Sequence, residues 1–532
     1  MAREGYAGHY EQKLIMKVKK VLLVFPDISE RSWHKGYFHY GLAHISSYLK
    51  QSVRDVEVSL LPIRDKNFDR SDFEKRIKKF QPDIIGFTST THSFPLVQKI
   101  AKWTKDIDRS ILTVCGGIHV TINPEDALLT QGLDVVICGD GEYPMKALVN
   151  EWTEHGRIPD VKGIWYRAGD RIVNNGVAIV EDLDSLPNPD WELFDYTNLD
   201  EGSQGIGGLM LSRGCPYQCS YCCNHKLSSI YKDNKVGYIR FKSVEKSISE
   251  IKSFITMFPS IHTLYFDDDI LPLKKGWFLD FAARYKNEIN KPYWCNIRPN
   301  LVDEEIVEGF VNSGCVRAGI GIESGNETIR NKVLKRNITE QLLVSAVSLL
   351  KRKNIYVYSF NMVGIPGETK KELLDTVRLN ALLNIDKMQC SVFYPYRHTT
   401  LYDTVVKEGL IKDEKSLLEY THESILNFSF AQKNRIYFTV LTINLVAKIY
   451  RMLPGYLSEV YLRMLYSSPS AVLFLPLVNI LMRKILASKK FTVNIRKIYR
   501  LLVPPPPTAL TAGQSKEQTG QPKDEKNNFC NF

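Results

Sequence analysis

At 532 residues the chain is too long for one ordinary core and predicts two or three domains. Its 44% hydrophobic and 24% charged fractions are those of a soluble globular protein. Ten cysteines at ordinary frequency, behind a polar opening stretch, speak for a reduced cytoplasmic protein and against an exported, disulfide-stapled one. The net charge of +11 raises nucleic acid or an anionic membrane as partners. The excess sits at one end, however: residues 441–503 hold ten Lys or Arg against the single acid Glu459. No nucleic-acid partner is expected of the rest.

Residues 1–18 are polar and read as a disordered N-terminus. Residues 19–155 alternate short apolar runs with helical segments. The runs are 21–25, 56–61, 83–87, 111–115 and 134–138, each of the kind buried parallel strands show. Five such units predict an α/β doubly wound sheet, Rossmann-like or flavodoxin-like. Ligands of such sheets bind outside the carboxyl ends of the strands. Small and polar residues collect there: Thr88 and Ser89 after the third strand, Gly116 and Gly117 after the fourth, and Gly139, Gly141 and Glu142 after the fifth. Neither GxGxxG nor GxxxxGK[ST] occurs, which argues against nicotinamide or nucleoside triphosphate.

Residues 156–205 read as a linker, with a small hairpin over 162–173 and a proline-stiffened passage at 186–191. Residues 206–400 repeat a strand and helix pattern six times, with strands expected at 208–212, 263–267, 293–297, 317–322, 356–363 and 388–394. The expectation is a partial (βα)6 barrel with its chemistry at the strands' carboxyl ends. Those ends carry Asp267-Asp268-Asp269, Arg298-Pro299-Asn300, Glu323-Ser324-Gly325 and Gly364-Ile365-Pro366-Gly367-Glu368.

The first of the six strands runs into Cys215, Cys219 and Cys222, at CxxxCxxC spacing. Thiolates are soft ligands that suit iron–sulfur clusters or zinc, and three on one tight loop can hold three corners of a 4Fe-4S cube. The fourth iron then stays open to bind a small molecule and pass it an electron. The competing reading is a closed zinc site completed by Cys223 and His225.

Residues 401–503 predict a helical C-terminal domain. The apolar stretch 471–482 is too short to span a bilayer. The region reads either as a cap packed on the barrel or as a peripheral membrane contact. Beyond four prolines, the tail 504–532 reads as disordered.

The Cys215, Cys219, Cys222 segment, with Tyr221 before its last cysteine, resembles the signature of radical S-adenosylmethionine (SAM) enzymes. The preceding Cys115-Gly116-Gly117-Ile118-His119 and Gly139-Asp140-Gly141-Glu142 resemble the cobalamin-binding domain of the cobalamin-dependent branch. The resemblance implies a Rossmann-like cobalamin domain followed by a radical SAM barrel. It also implies reductive cleavage of SAM to a 5'-deoxyadenosyl radical, and methyl transfer to an unactivated carbon. On it, Cys215, Cys219 and Cys222 ligate the cluster, and Tyr221, Asp267, Asp268, Glu323, Gly364, Pro366 and Gly367 meet SAM. Thr88, Ser89, Gly116, Gly117, Gly139, Gly141 and Glu142 meet cobalamin, while no residue is assigned as catalytic. The Asp-x-His-x-x-Gly motif of histidine-ligated cobalamin domains is missing, and His34 and His39 lack its spacing, so the lower face of cobalt is expected to carry no protein histidine. A flavodoxin- or ferredoxin-type electron donor and a small-molecule or lipid-like substrate complete the expectation. The alternatives are an oxidative cyclase resembling the anaerobic tetrapyrrole cyclase, a tRNA methylthiotransferase, and a non-catalytic zinc-binding protein.

Overall fold

The computed structural model describes residues 18–467 apart from 28–34, 65–67, 233–236 and 412–423. The proposed disordered N-terminus up to residue 17, the stretch 468–503 and the tail 504–532 lie outside the described residues, as does His34.

The first sheet has seven strands: β1 (Lys19–Pro26), β2 (Val56–Ile63), β3 (Ile84–Thr88), β4 (Leu112–Gly116), β5 (Val135–Ile137), β6 (Ile164–Ala168) and β7 (Arg171–Asn174). Their order is β2-β1-β3-β4-β5-β6-β7, and the first five are parallel, so the flavodoxin-like alternative is the one adopted. Strand alternation divides the apolar runs between two helical layers. Val21, Leu23, Ile84 and Val114 pack toward the helices Tyr40–Ser52 and Glu142–His155. Leu22, Val24 and Ile85 pack toward Arg70–Phe80 and Phe94–Ile107.

One boundary moves. The hairpin read as part of a linker is β6 and β7, which pair antiparallel onto the edge of β5. The backbone of Val135–Ile137 would otherwise present an open edge, and the hairpin covers it. The remaining connector packs on both domains: Trp191 and Tyr196 each set their rings 5.1 Å from Phe254 of the second domain.

The second sheet contains β8 (Ile206–Leu209), β11 (Thr263–Phe266), β12 (Tyr293–Ile297), β13 (Cys315–Glu323), β14 (Tyr356–Val363) and β15 (Lys387–Val392), with the short antiparallel pair β9 (Ser212–Arg213) and β10 (Arg240–Phe241) beside it. All six strands are parallel and neighbour one another in chain order, which is the expected partial barrel. Beyond it, the helix Phe430–Met452 closes the free edge at β15. Asn444 accepts from Met388 N at 2.8 Å and donates to Met388 O at 2.7 Å, satisfying backbone groups that an edge strand leaves unpaired. As far as residue 467, the C-terminal region therefore caps the barrel. Among the described residues no helix is long and apolar enough to cross a membrane.

Candidate active site

The loop from Gly214 to Cys222 is held from three sides. Gly214 has φ +94, and a Cβ there would lie 2.5 Å from Tyr238 O, so only glycine lets the chain turn into Cys215. Ser220 donates its hydroxyl to Val333 O at 2.6 Å and its N–H to Leu334 O at 3.1 Å. Asp268 is wholly buried and accepts from Leu211 N at 3.1 Å and from the Ser212 hydroxyl. Burial pushes its carboxyl up to about 6 against those donors. Asp268 thus fixes the strand leading into the loop. Its neighbours Asp267 and Asp269 line the cavity, and Asp268 does not.

A cationic layer backs the thiols. The Arg298 guanidinium stacks 3.6 Å from the Tyr217 ring centroid, lies 3.9 Å from Cys219 Sγ and donates to Arg336 O. Arg336 donates to Tyr221 Oη at 2.6 Å, to Glu323 Oε1 at 3.2 Å and to Gly321 O at 2.8 Å. Glu323 holds a left-handed φ of 64 at the carboxyl end of β13, a strained conformation that its bond to Arg336 helps to maintain. After β14, Gly364 and Gly367 turn with φ +77 and +78 around Pro366, and Gly364 N donates to Glu368 Oε2 at 2.5 Å. That carboxyl is buried, its Oε1 has no partner, and desolvation pushes it up to about 8.

Zinc finds a poor set of donors. His225 engages the Cys222 carbonyl through Nδ1 at 2.7 Å and the Thr400 hydroxyl through Nε2 at 3.2 Å, so neither nitrogen is available. Among the described residues no three His, Cys, Asp or Glu side chains are grouped as ligands of a single metal ion. A 4Fe-4S cube gives each thiolate its own iron and asks for no such convergence. Burial pushes the Cys215 thiol up to about 12, a proton that metal binding must displace. Three thiols on one rigid loop backed by arginine suit a cluster.

Over this loop the two domains enclose a cavity of about 560 Å³. One wall is the carboxyl end of the first sheet, with Gly86, Thr88, Gly116, Gly117, Gly139 and Gly141. The other includes Cys223, Asn224, Asp267 and Asp269. A Cβ on Gly116 would meet nothing within 4 Å, so the backbone there faces open space, as a bulky planar ligand requires. Ser89 is absent from this wall: it is buried, with its hydroxyl 3.5 Å from Cys115 Sγ. Glu142 reaches the cavity, but its carboxylate is committed to Arg213. His39 also lines the space. Its Nδ1 accepts from Leu42 N at 3.1 Å, which leaves the proton on Nε2, and Nε2 lies 3.2 Å from the Thr88 hydroxyl. Burial lowers the imidazole to about 4.

Sequence reasoning missed Asp140, Arg213 and Arg240. Arg213 Nη1 lies 3.0 Å from Asp140, and the buried Arg240 also donates to that carboxylate. Burial would raise Asp140, but the two guanidinium groups outweigh it and hold the carboxyl below its ordinary value. The position of Arg213, two residues before the first cysteine, was the signal available.

A thiol loop on a partial barrel, whose flanking residues Gly214 and Cys223 but not Cys215, Cys219 or Cys222 line a glycine-rich cavity on a flavodoxin-like sheet, belongs to a two-cofactor enzyme. The B12 binding domain family matches residues 36–149 and the radical SAM superfamily matches 209–379. The chain belongs to the B12-binding radical SAM enzymes, and cobalamin, SAM and a 4Fe-4S cluster follow as its cofactors. It is 29% identical over 402 residues to an uncharacterised methyltransferase of Pyrococcus horikoshii, covering 74% of this chain and 85% of the relative. It is 25% identical over 359 residues to the anaerobic magnesium-protoporphyrin IX monomethyl ester cyclase of Cereibacter sphaeroides, covering 65% of this chain and 56% of the relative. In fold it is similar to the cobalamin-dependent SAM radical enzyme OxsB with aqua-cobalamin bound, at TM-score 0.63 and 16% identity, over 91% of this chain and 79% of that one.

Proposed function

We propose that the chain transfers a methyl group to an unactivated carbon of a small-molecule substrate, as a cobalamin-dependent radical SAM methyltransferase. The observation that carries this reading is the single cavity whose opposite walls are the cobalamin-type glycines and the rim of the cysteine loop. When bound, the cluster supplies the electron that cleaves SAM, and cobalamin supplies a methyl carrier. Cys215, Cys219 and Cys222 would hold the cluster, with Arg298 and Arg336 offsetting its negative charge. Asp267 and Asp269 offer acceptors to an ammonium group at the cavity wall, with Tyr221 in the cysteine loop and Glu323 and the turn around Pro366 at the ends of β13 and β14. The buried ion pairs at Asp140 keep the two walls in register. A flavodoxin- or ferredoxin-type protein is the electron donor this reading asks for.

The similarity to the magnesium-protoporphyrin cyclase favours oxidative ring closure as the second reading. Anaerobic protein reconstituted with iron, sulfide and hydroxocobalamin, then given a chemical reductant, a candidate substrate and SAM labelled in its methyl group, separates the two. Label appearing in product supports methyl transfer, and 5'-deoxyadenosine with unlabelled, dehydrogenated product supports the cyclase. Cys219→Ala should abolish SAM cleavage while leaving cobalamin bound.

A peripheral membrane contact belongs to the same proposal. Met452, Tyr456 and Leu457 stand 75%, 81% and 50% exposed at the elbow between the last two described helices, beside Arg451. Co-sedimentation with anionic vesicles, lost in Tyr456→Ser, is the check.

A further inference from the structure

Below the strand ends, the concave face of the second sheet carries a second cluster of charge. Tyr265, Trp294, Arg317 and Tyr356 pair in register across β11 to β14. One step further along, Asn296, Gly319, Tyr358 and Lys387 form the next row. Side chains alternate along a strand, so both rows share the face of Asp267, the cavity-lining residue two positions beyond Tyr265. The Tyr265 hydroxyl confirms this by donating to Asp267 at 2.7 Å. The opposite faces, with Leu264, Phe266, Cys295, Ala318 and Val357, are buried in the apolar core.

Arg317 is anomalous on this face. Its guanidinium carbon lies 4.5 Å from the Trp294 ring centroid and 4.9 Å from that of Tyr358, held between two aromatic rings. It makes no side-chain hydrogen bond and no ion pair with any described residue, and its Nε is buried without a partner. Among the described residues the more deeply buried arginines are compensated: Arg240 and Arg336 by carboxylates, and Arg298 and Arg330 by backbone carbonyls. Lys387 adds a second cation on the far side of the same tyrosine, with its ammonium 5.8 Å from the ring centroid and the residue 9% exposed. Burial, and then Arg317 itself, lower that ammonium to about 8. The face is open to solvent along β15, where Gln389 and Ser391 are exposed.

Arg317 is half-buried, and withdrawing even part of a guanidinium from water without a counter-charge has a cost that stacking on rings recovers only in part. The two rings flank the group, and its N–H donors make no bond to a described residue, so they remain open to a carboxylate or phosphate, the anions a guanidinium recognises bidentately. We propose that this face binds the substrate and selects an organic anion on an aromatic or otherwise flat apolar body, seating the carboxylate or phosphate on Arg317 beside Lys387. The body would lie along Trp294 and Tyr358 toward Asp267 and the cofactor cavity. This rests on the reading that the substrate reacts at the mouth of the partial barrel.

The test uses reconstituted holoenzyme without reductant, so that binding is read apart from turnover. The probes are naphthalene-2-carboxylate, 1-naphthyl phosphate and the neutral naphthalene-2-carboxamide, followed by calorimetry. At least one anion should bind about tenfold more tightly than the amide, and Arg317→Gln should remove that preference while Arg317→Lys keeps part of it. Should the glutamine variant fail to fold, salt serves instead: added chloride should weaken the anion and leave the amide unchanged. Equal affinities, no measurable anion binding, or a preference that survives Arg317→Gln would overturn the site. SAM cleavage by the wild-type protein is scored separately. Anion selectivity without cleavage sinks the enzymatic reading alone, and cleavage without selectivity sinks the anion site alone.

Discussion

Arg213, the second residue before Cys215, donates from Nη2 to Glu142 Oε1 at 2.6 Å across the domain boundary. Glu142 opens the helix that follows β5 of the first sheet, so one ion pair ties the carboxyl end of that sheet to the strand leading into the cysteine loop. Asp140 doubles the tie through Arg213 and Arg240, and Arg240 is also held by Val180 O at 2.7 Å. The two walls of the cavity are thus joined by buried charge as well as by chain connectivity.

Removing Asp140 should therefore cost more than an exposed ion pair. Asp140→Asn leaves the buried Arg240 without its carboxylate, and the expected loss is about 3 kcal/mol in urea unfolding, accompanied by weaker cobalamin retention. A change below about 0.5 kcal/mol, the size expected of an exposed pair, would contradict this account.

Gly116 offers a test of the cavity that spares the fold. Because a Cβ there would meet nothing within 4 Å, Gly116→Phe should fold with wild-type circular dichroism yet lose bound cobalamin by absorbance. Gly117→Phe is the contrast: with φ +99, and a Cβ position 2.7 Å from Ser89 O, it should damage folding itself.

Arg298 should tune the cluster. A cationic N–H near a cluster sulfur stabilises the reduced, more negative state, so Arg298→Gln should lower the midpoint potential. The expected shift is about 60 mV, the one-electron equivalent of a tenfold change. Potentiometric electron paramagnetic resonance reads it directly, and an unchanged midpoint would remove Arg298 from this role.

Glu368 predicts a pH dependence of stability. Its carboxyl titrates near 4.5 when unfolded and about 8 when folded, raised chiefly by burial, so the folded state holds a proton that the unfolded state has lost. The stabilisation is full below about 4.5 and falls by roughly 1 kcal/mol per unit until the pH passes the folded value. Glu368→Gln should flatten that part of the profile between pH 5 and 8, relative to wild type, in chemical denaturation. A variant profile as steep as wild type would show that the carboxyl titrates normally.

Much of this protein is local and was legible in one dimension. CxxxCxxC spacing puts three thiols on one loop whatever surrounds it, and runs such as Val21 to Phe25 are long and apolar enough to be buried strands. Five of the six barrel strands fell within two residues of expectation, because strand and helix periods are properties of the backbone, while the first ends at Leu209 and Ser212 pairs instead with Phe241. The hairpin at 164–174 was seen, but its membership of the first sheet was not, since pairing with Val135–Ile137 depends on which edge lies open in space. Likewise Asp267, Asp268 and Asp269 are equivalent as letters. Only the docking of β11 against β8 decides that the middle one grips Leu211 and Ser212 while its neighbours face the cavity. The partnerships of Arg213 with Glu142, and of Arg317 with Trp294 and Tyr358, belong to the tertiary structure for the same reason. They join residues far apart in the chain, and what a buried charge does is set by the groups that packing brings against it.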